Sequence, residues 1–155
     1  MTTPREIRIT SRCEAFGCDA ESVEDCLRAL DTDPRFAIPP GELSVVFLDD
    51  TEMGELHGTF LGDPSPTDVI TFPGDPDFGE SGEICIGVER ARAVHRSHGQ
   101  DFSREILLYL AHGWLHLAGY DDRSENDRRA MRLAEAEALS FLGERIRPPT
   151  FSMED

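Results

Sequence analysis

His112 and His116 stand four residues apart in the run His112-Gly113-Trp114-Leu115-His116-Leu117-Ala118-Gly119-Tyr120-Asp121-Asp122. On a helix that spacing stacks two side chains on one face. Two imidazoles can then aim at one point, as a tetrahedral metal requires. Gly119 supplies a helix stop, because glycine takes a left-handed conformation without steric cost. The chain can turn there and return a third donor, with Asp121 and Asp122 next in line.

The layout follows the zincin pattern H-E-x-x-H-x-x-G-x-x-H with two changes. Gly113 stands where a zincin has the Glu that activates water, which argues against a peptidase of that type. Asp122 stands where the third His would be, which keeps a ligand and adds a negative charge. A bare pair of histidines at this spacing is also compatible with core residues satisfied by hydrogen bonds. The Gly and the acidic residue at zincin spacing favour the metal, with the ligand set His112, His116 and Asp122.

These residues resemble the signature of the YbeY family, the bacterial metalloendoribonucleases of ribosomal RNA maturation. Its pattern H-G-x-L-H-L-x-G-Y-D-H fits from His112 to Asp121, and Asp122 replaces the final His. Pro66-Thr67-Asp68-Val69-Ile70-Thr71-Phe72-Pro73 is similar to the family's P-T-D-V-L-S-F-P. Gly82-Glu83-Ile84-Cys85-Ile86 is similar to its G-D-I-x-I, and Met131 with Glu135 to an M-x3-E pair on its last helix. The likeness runs over about residues 5–143.

The resemblance implies a compact α+β fold and one Zn2+ per chain, or another divalent transition metal. It implies cleavage of single-stranded RNA during ribosome maturation, with ribosomal RNA and the small ribosomal subunit as partners. It places Asp68 and Thr71 beside the metal cleft, and together with Asp121 they are the catalytic candidates. A family Arg falls where this chain has Leu61, so a phosphate or transition-state contact is missing and reduced activity is expected. The competing reading is a weak or silent relative that keeps a structural metal and serves as a ribosome- or protein-binding factor.

The histidine helix has to be held by other elements. Ile106 to Ala111 is apolar on every face, and Trp114, Leu115, Leu117 and Ala118 continue it, so this helix is expected to be central and buried. Strands are expected at Ile7–Thr10, Leu43–Leu48, Val69–Phe72 and Glu83–Ile86, and helices at Ser22–Leu30, Thr51–Phe60, 88–98, 103–118 and 124–142. Gly143 is expected to end the last helix, which Ser124 caps. Gly74–Gly82 reads as a mobile loop. Strands first and helices later, without regular alternation, point to an α+β fold: one small four-stranded mixed sheet packed with about five helices. The length suits one domain, here 1–147, with 148–155 as a frayed tail.

Thirty-one acidic residues oppose fifteen basic ones, all of them Arg, for a formal net charge of −16. That balance disfavours non-specific nucleic-acid binding, which depends on phosphate neutralisation. Arg123, Arg128, Arg129 and Arg132 cluster in sequence but are interleaved with acids, which reads as a solvated helix face. No apolar run is long enough to span a bilayer, and the N-terminus lacks an apolar signal region. A cytoplasmic protein with four free thiols and no membrane contact is expected. No Gly-rich phosphate loop is present, so no nucleotide cofactor is expected.

Overall fold

The computed structural model describes residues 4–62 and 67–154, with Leu61 described only by its place in a helix. Pro66 and the Leu61 side chain therefore lie outside the described residues. The elements are β1 (Ile7–Ser11), β2 (Phe16–Cys18), α1 (Ala20–Leu30), β3 (Glu42–Leu48), α2 (Asp50–Leu61), β4 (Val69–Pro73), β5 (Glu80–Gly87), α3 (Val88–Val94), α4 (Phe102–Leu117), α5 (Glu125–Arg145) and β6 (Phe151–Met153).

This is the expected α+β fold. The main sheet has the order β1-β3-β5-β4. Strands β1, β3 and β5 run parallel, and β4 lies antiparallel on β5 at the edge, so the sheet is mixed. Alternation along β3 divides the core. Leu43, Val45 and Phe47 are fully buried in the larger cluster, with Leu110, Trp114 and Leu115 of α4 and Met131 and Ala138 of α5. Leu48 goes to the other face, where Met53 of α2 meets Ile70 and Cys85. No helix of the described residues is long and apolar enough to cross a membrane. All four cysteines are free thiols, and burial pushes Cys26 and Cys85 up to about 12.

Helix α4 lies between the sheet and α5, packed on β4 and β5. Asp101 caps its start by accepting from the Arg104 N–H at 2.7 Å. The buried Trp114 indole is satisfied, since its Nε1 donates to the Phe36 carbonyl at 2.8 Å. Gly113 is the contact point with the sheet. A Cβ there would come within 2.5 Å of Ile84 Cγ2 and 3.3 Å of Val69 Cγ1. Seating the histidine helix this closely leaves no room for a side chain where a zincin carries Glu.

Four expectations are corrected. The segment expected as a frayed tail instead carries β6, antiparallel to β2. Phe151 is buried there, stacked on Phe16 at 5.7 Å between centroids, and its N–H donates to Ser103 Oγ at 2.8 Å. Gly143 does not end α5, which runs to Arg145. A helical Gly costs only about 1 kcal/mol, and buried Phe141 and Leu142 hold the last turns. Residues 80–82, read as loop, belong to β5, where a register shift opposite Glu42 and Leu43 accommodates them. Helix α3 stops at Val94, and the chain turns so that the His95 carbonyl accepts from the Gln100 N–H at 3.1 Å.

Gly113→Ala is expected to destabilise the protein by about 1–3 kcal/mol, the range for overpacking. Urea unfolding measures this. Helix propensity alone would raise stability by about 1 kcal/mol, so a stabilised variant would show that α4 does not bear on β5 at this point.

Candidate metal centre

Helix α4 carries His112 and His116 one turn apart near its C-terminal end, about 100° and 60° around the helix axis from Gly113. The helix ends at Leu117. Gly119 follows with φ +105°, in the region open to glycine. Its N–H bonds the His116 carbonyl at 3.1 Å, and the Tyr120 N–H bonds that of Leu115 at 3.0 Å. The reversal brings Asp122 back over the last turn of α4.

The result is a triangle of donor atoms. His112 Nε2 and His116 Nε2 are 3.1 Å apart. Asp122 Oδ2 is 3.5 Å from His116 Nε2 and 3.8 Å from His112 Nε2. Ligands about 2.0–2.1 Å from a tetrahedral centre are roughly 3.3–3.4 Å from one another. The three edges straddle that value, so the donor set fits a small divalent cation. The histidine side chains are 24% and 21% exposed and that of Asp122 49%, so the triangle is closed toward the core and open toward solvent on the Asp122 side.

Helix α5 completes the arrangement. Its capping box joins Ser124 and Asp127, and Glu135 lies two turns beyond the first. Glu135 Oε2 is 3.3 Å from His112 Nδ1. With Nδ1–H donating to that carboxylate, His112 keeps its lone pair on Nε2, the atom facing the triangle. Burial pulls the His112 pKa down. The hydrogen bond and charge of Glu135, with the charges of Asp68 and Asp122, outweigh it and hold the value above that of an ordinary imidazole.

The other sequence candidates fall in different places. Asp121 is turned to its own loop, where Oδ1 accepts the Asp122 N–H at 2.8 Å and Oδ2 lies 3.2 Å from Arg123 Nε. Asp68 is exposed and within electrostatic range of His112, while its Oδ1 accepts the Val69 N–H at 2.8 Å and the Thr67 hydroxyl at 3.3 Å. Thr71 is half-buried in β4 opposite Ile84. Only His112, His116 and Asp122 form a donor cluster among the described residues, with all ligand atoms within 4.8 Å of one another. The sequence reading gave Glu135 no role, although its place four residues after Met131 on an α5 face with buried Ala134 and Ala138 was the available signal.

Metal-free protein should show the effect of Glu135 directly. A raised folded-state pKa means that protonated His112 stabilises the fold fully below its unfolded pKa of about 6.5. That contribution disappears as pH rises through the folded value. Glu135→Gln removes the charge, so the His112 titration followed by NMR of the ring C–H should move to lower pH. An unchanged titration would mean that Glu135 does not engage Nδ1.

Known proteins resemble this chain over most of its length. The family model for Endoribonuclease YbeY matches residues 14–143. A Desulfitobacterium hafniense protein named Endoribonuclease YbeY is 37% identical over 113 residues, 66% of this chain and 72% of its own. A Finegoldia magna protein of the same name is 32% identical over 148 residues, 88% of this chain and 94% of its own. Among solved structures, the solution structure of TM1509 from Thermotoga maritima matches with a TM-score of 0.62 at 28% identity, covering 89% of this chain and 90% of that one.

Proposed function

The chain belongs to the YbeY endoribonuclease family, and on that footing we propose that it is a metal-dependent endoribonuclease cutting single-stranded RNA in the maturation of ribosomal RNA. Its site of action is the cytoplasm, with the small ribosomal subunit as the partner that presents the substrate. The convergence of His112 Nε2, His116 Nε2 and Asp122 Oδ2 carries this reading.

Zinc suits two imidazoles and a carboxylate with an open fourth position. When bound, such an ion polarises a phosphoryl oxygen and lowers the pKa of a water molecule. The protein's own groups set the conditions for that chemistry. Glu135 fixes the His112 tautomer. Asp121 and Arg123 shape the loop that presents Asp122. Asp68 and Asp121 are the candidate proton acceptors: the charge of Asp68 acts on His112 while its Oδ1 accepts from Val69 and Thr67, and Asp121 is bonded to the Asp122 N–H and Arg123.

Charge explains why activity should be modest. Two neutral histidines and one carboxylate sum to −1, so a divalent ion leaves the centre at +1, one less than three histidines would. A less positive centre stabilises a developing phosphoryl charge less well. Leu61 adds no cation.

Purified protein should hold about one zinc per chain, lost in His112→Ala and His116→Ala by elemental analysis. Asp122→Ala should weaken binding strongly, while Asp122→His should keep or tighten it. Full occupancy in both histidine variants would remove the site. RNA cleavage tests the activity itself: wild type should cut single-stranded ribosomal RNA slowly and His116→Ala not at all. Wild type that holds zinc but cuts no RNA would favour a binding role.

Leu61→Arg should steepen the salt dependence of RNA binding by about one counterion and raise the cleavage rate. An unchanged salt slope would place residue 61 away from the bound phosphates.

A further inference from the structure

The third donor sits on a loop with little to hold it. Residues 122–124 are all exposed, so apolar packing does not fix Asp122 in place. Hydrogen bonds do, and they come from two sources. Asp121 ties the loop to itself through the Asp122 N–H and Arg123. The other source is outside the loop. Arg128, in the first turns of α5, reaches back so that Nη1 donates to the carbonyl of Asp122 at 3.3 Å and that of Arg123 at 3.4 Å. Arg128 and Glu135 are seven residues apart and so share a face of α5. One face of one helix thus touches both the His112 ring and the backbone that bears Asp122. The neighbouring Arg129 differs, since it pairs along the helix with Glu125 at 3.3 Å.

We propose that Arg128 is a positioning residue of the metal centre, gripping the backbone at Asp122 so that its carboxylate stays opposite the two imidazoles. This rests on the metal reading of the site. Both hydrogen bonds are long and open to water, so their contribution to global stability is small. Their effect on metal affinity is larger, because an unpinned loop presents only two donors for much of the time. Apparent affinity falls in proportion to the population with all three in place. Both bonds leave one guanidinium nitrogen, Nη1, whose two hydrogens are shared between the adjacent carbonyls. Its charge also offsets the carboxylate that stands where an imidazole stands in the family signature.

The test is zinc affinity by competition with a chromophoric chelator, for wild type, Arg128→Ala, Arg128→Lys, Asp122→Ala and the double variant Asp122→Ala/Arg128→Ala. Arg128→Ala should weaken zinc binding about tenfold, the low end for residues behind the ligands. Arg128→Lys should restore part of that loss. The urea midpoint of the metal-free protein should stay at the wild-type value, which separates positioning from a folding defect. In the Asp122→Ala background the same substitution should change affinity by less than about twofold, because Arg128 acts through Asp122. Wild-type affinity in Arg128→Ala, or an equal loss in both backgrounds, would overturn the role while leaving the metal site intact. A wild-type chain that takes up no zinc would overturn the metal reading and this role with it.

Discussion

Helix α4 has to satisfy two demands: close packing against the sheet at Gly113 and, beside that contact, two imidazole nitrogens turned to a common point. The contact at Gly113 meets the first. With only hydrogen on that Cα, the helix backbone comes down on Ile84 and Val69, and the remaining apolar residues of α4 fill the space around it. The orientation of His112 and His116 follows from that seat, since the same helix carries them about 60–100° around its axis from Gly113. A larger residue at 113 would lift the helix and move both rings together. Absence of the zincin Glu therefore has a packing cause as well as a chemical consequence.

The second support is α5. Buried Met131, Ala134 and Ala138 dock it on the core, and that docking delivers Glu135 to His112 and Arg128 to the Asp122 loop. The charges are ordered accordingly. Glu135 is the more enclosed carboxylate, 14% exposed, and is paired with an imidazole, as a buried charge must be. Asp122 is half-exposed and can keep its charge in contact with water. An acidic protein thus concentrates negative charge where a divalent cation would be welcome, although that same charge repels the RNA proposed as substrate. A bound cation reverses the sign at the centre, and metal and substrate binding are expected to be coupled for that reason.

Much of this was legible in the residues, and the exceptions have physical causes. Ile7–Thr10, Leu43–Leu48 and Val69–Phe72 show alternation or dense β-branched content, and their strands fall within a residue or so of expectation. The i, i+4 histidines and the following Gly119 announced both the helix and its reversal, and Asp122 followed from spacing alone. Strands β2 and β6 gave no such signal. Each has three residues, and each exists because the other end of the chain pairs with it. Residues 80–82 read as loop because Gly and Ser dominate locally, whereas their pairing with Glu42 and Leu43 is a tertiary fact. Arg128 was hidden, an exposed residue that reads as solvated until α5 is placed against α4, whereas Glu135 showed only as the partner of Met131 in a pattern that named no contact.

The central claim is that one divalent cation is held by His112 Nε2, His116 Nε2 and Asp122 Oδ2. An anomalous difference map at the zinc edge, from crystals of zinc-loaded protein, tests it most directly. One peak is expected per chain, about 2 Å from each of the three atoms. A peak only at the cysteine thiols, or none while the two imidazoles stay hydrogen-bonded to each other at the present 3.1 Å, would contradict it.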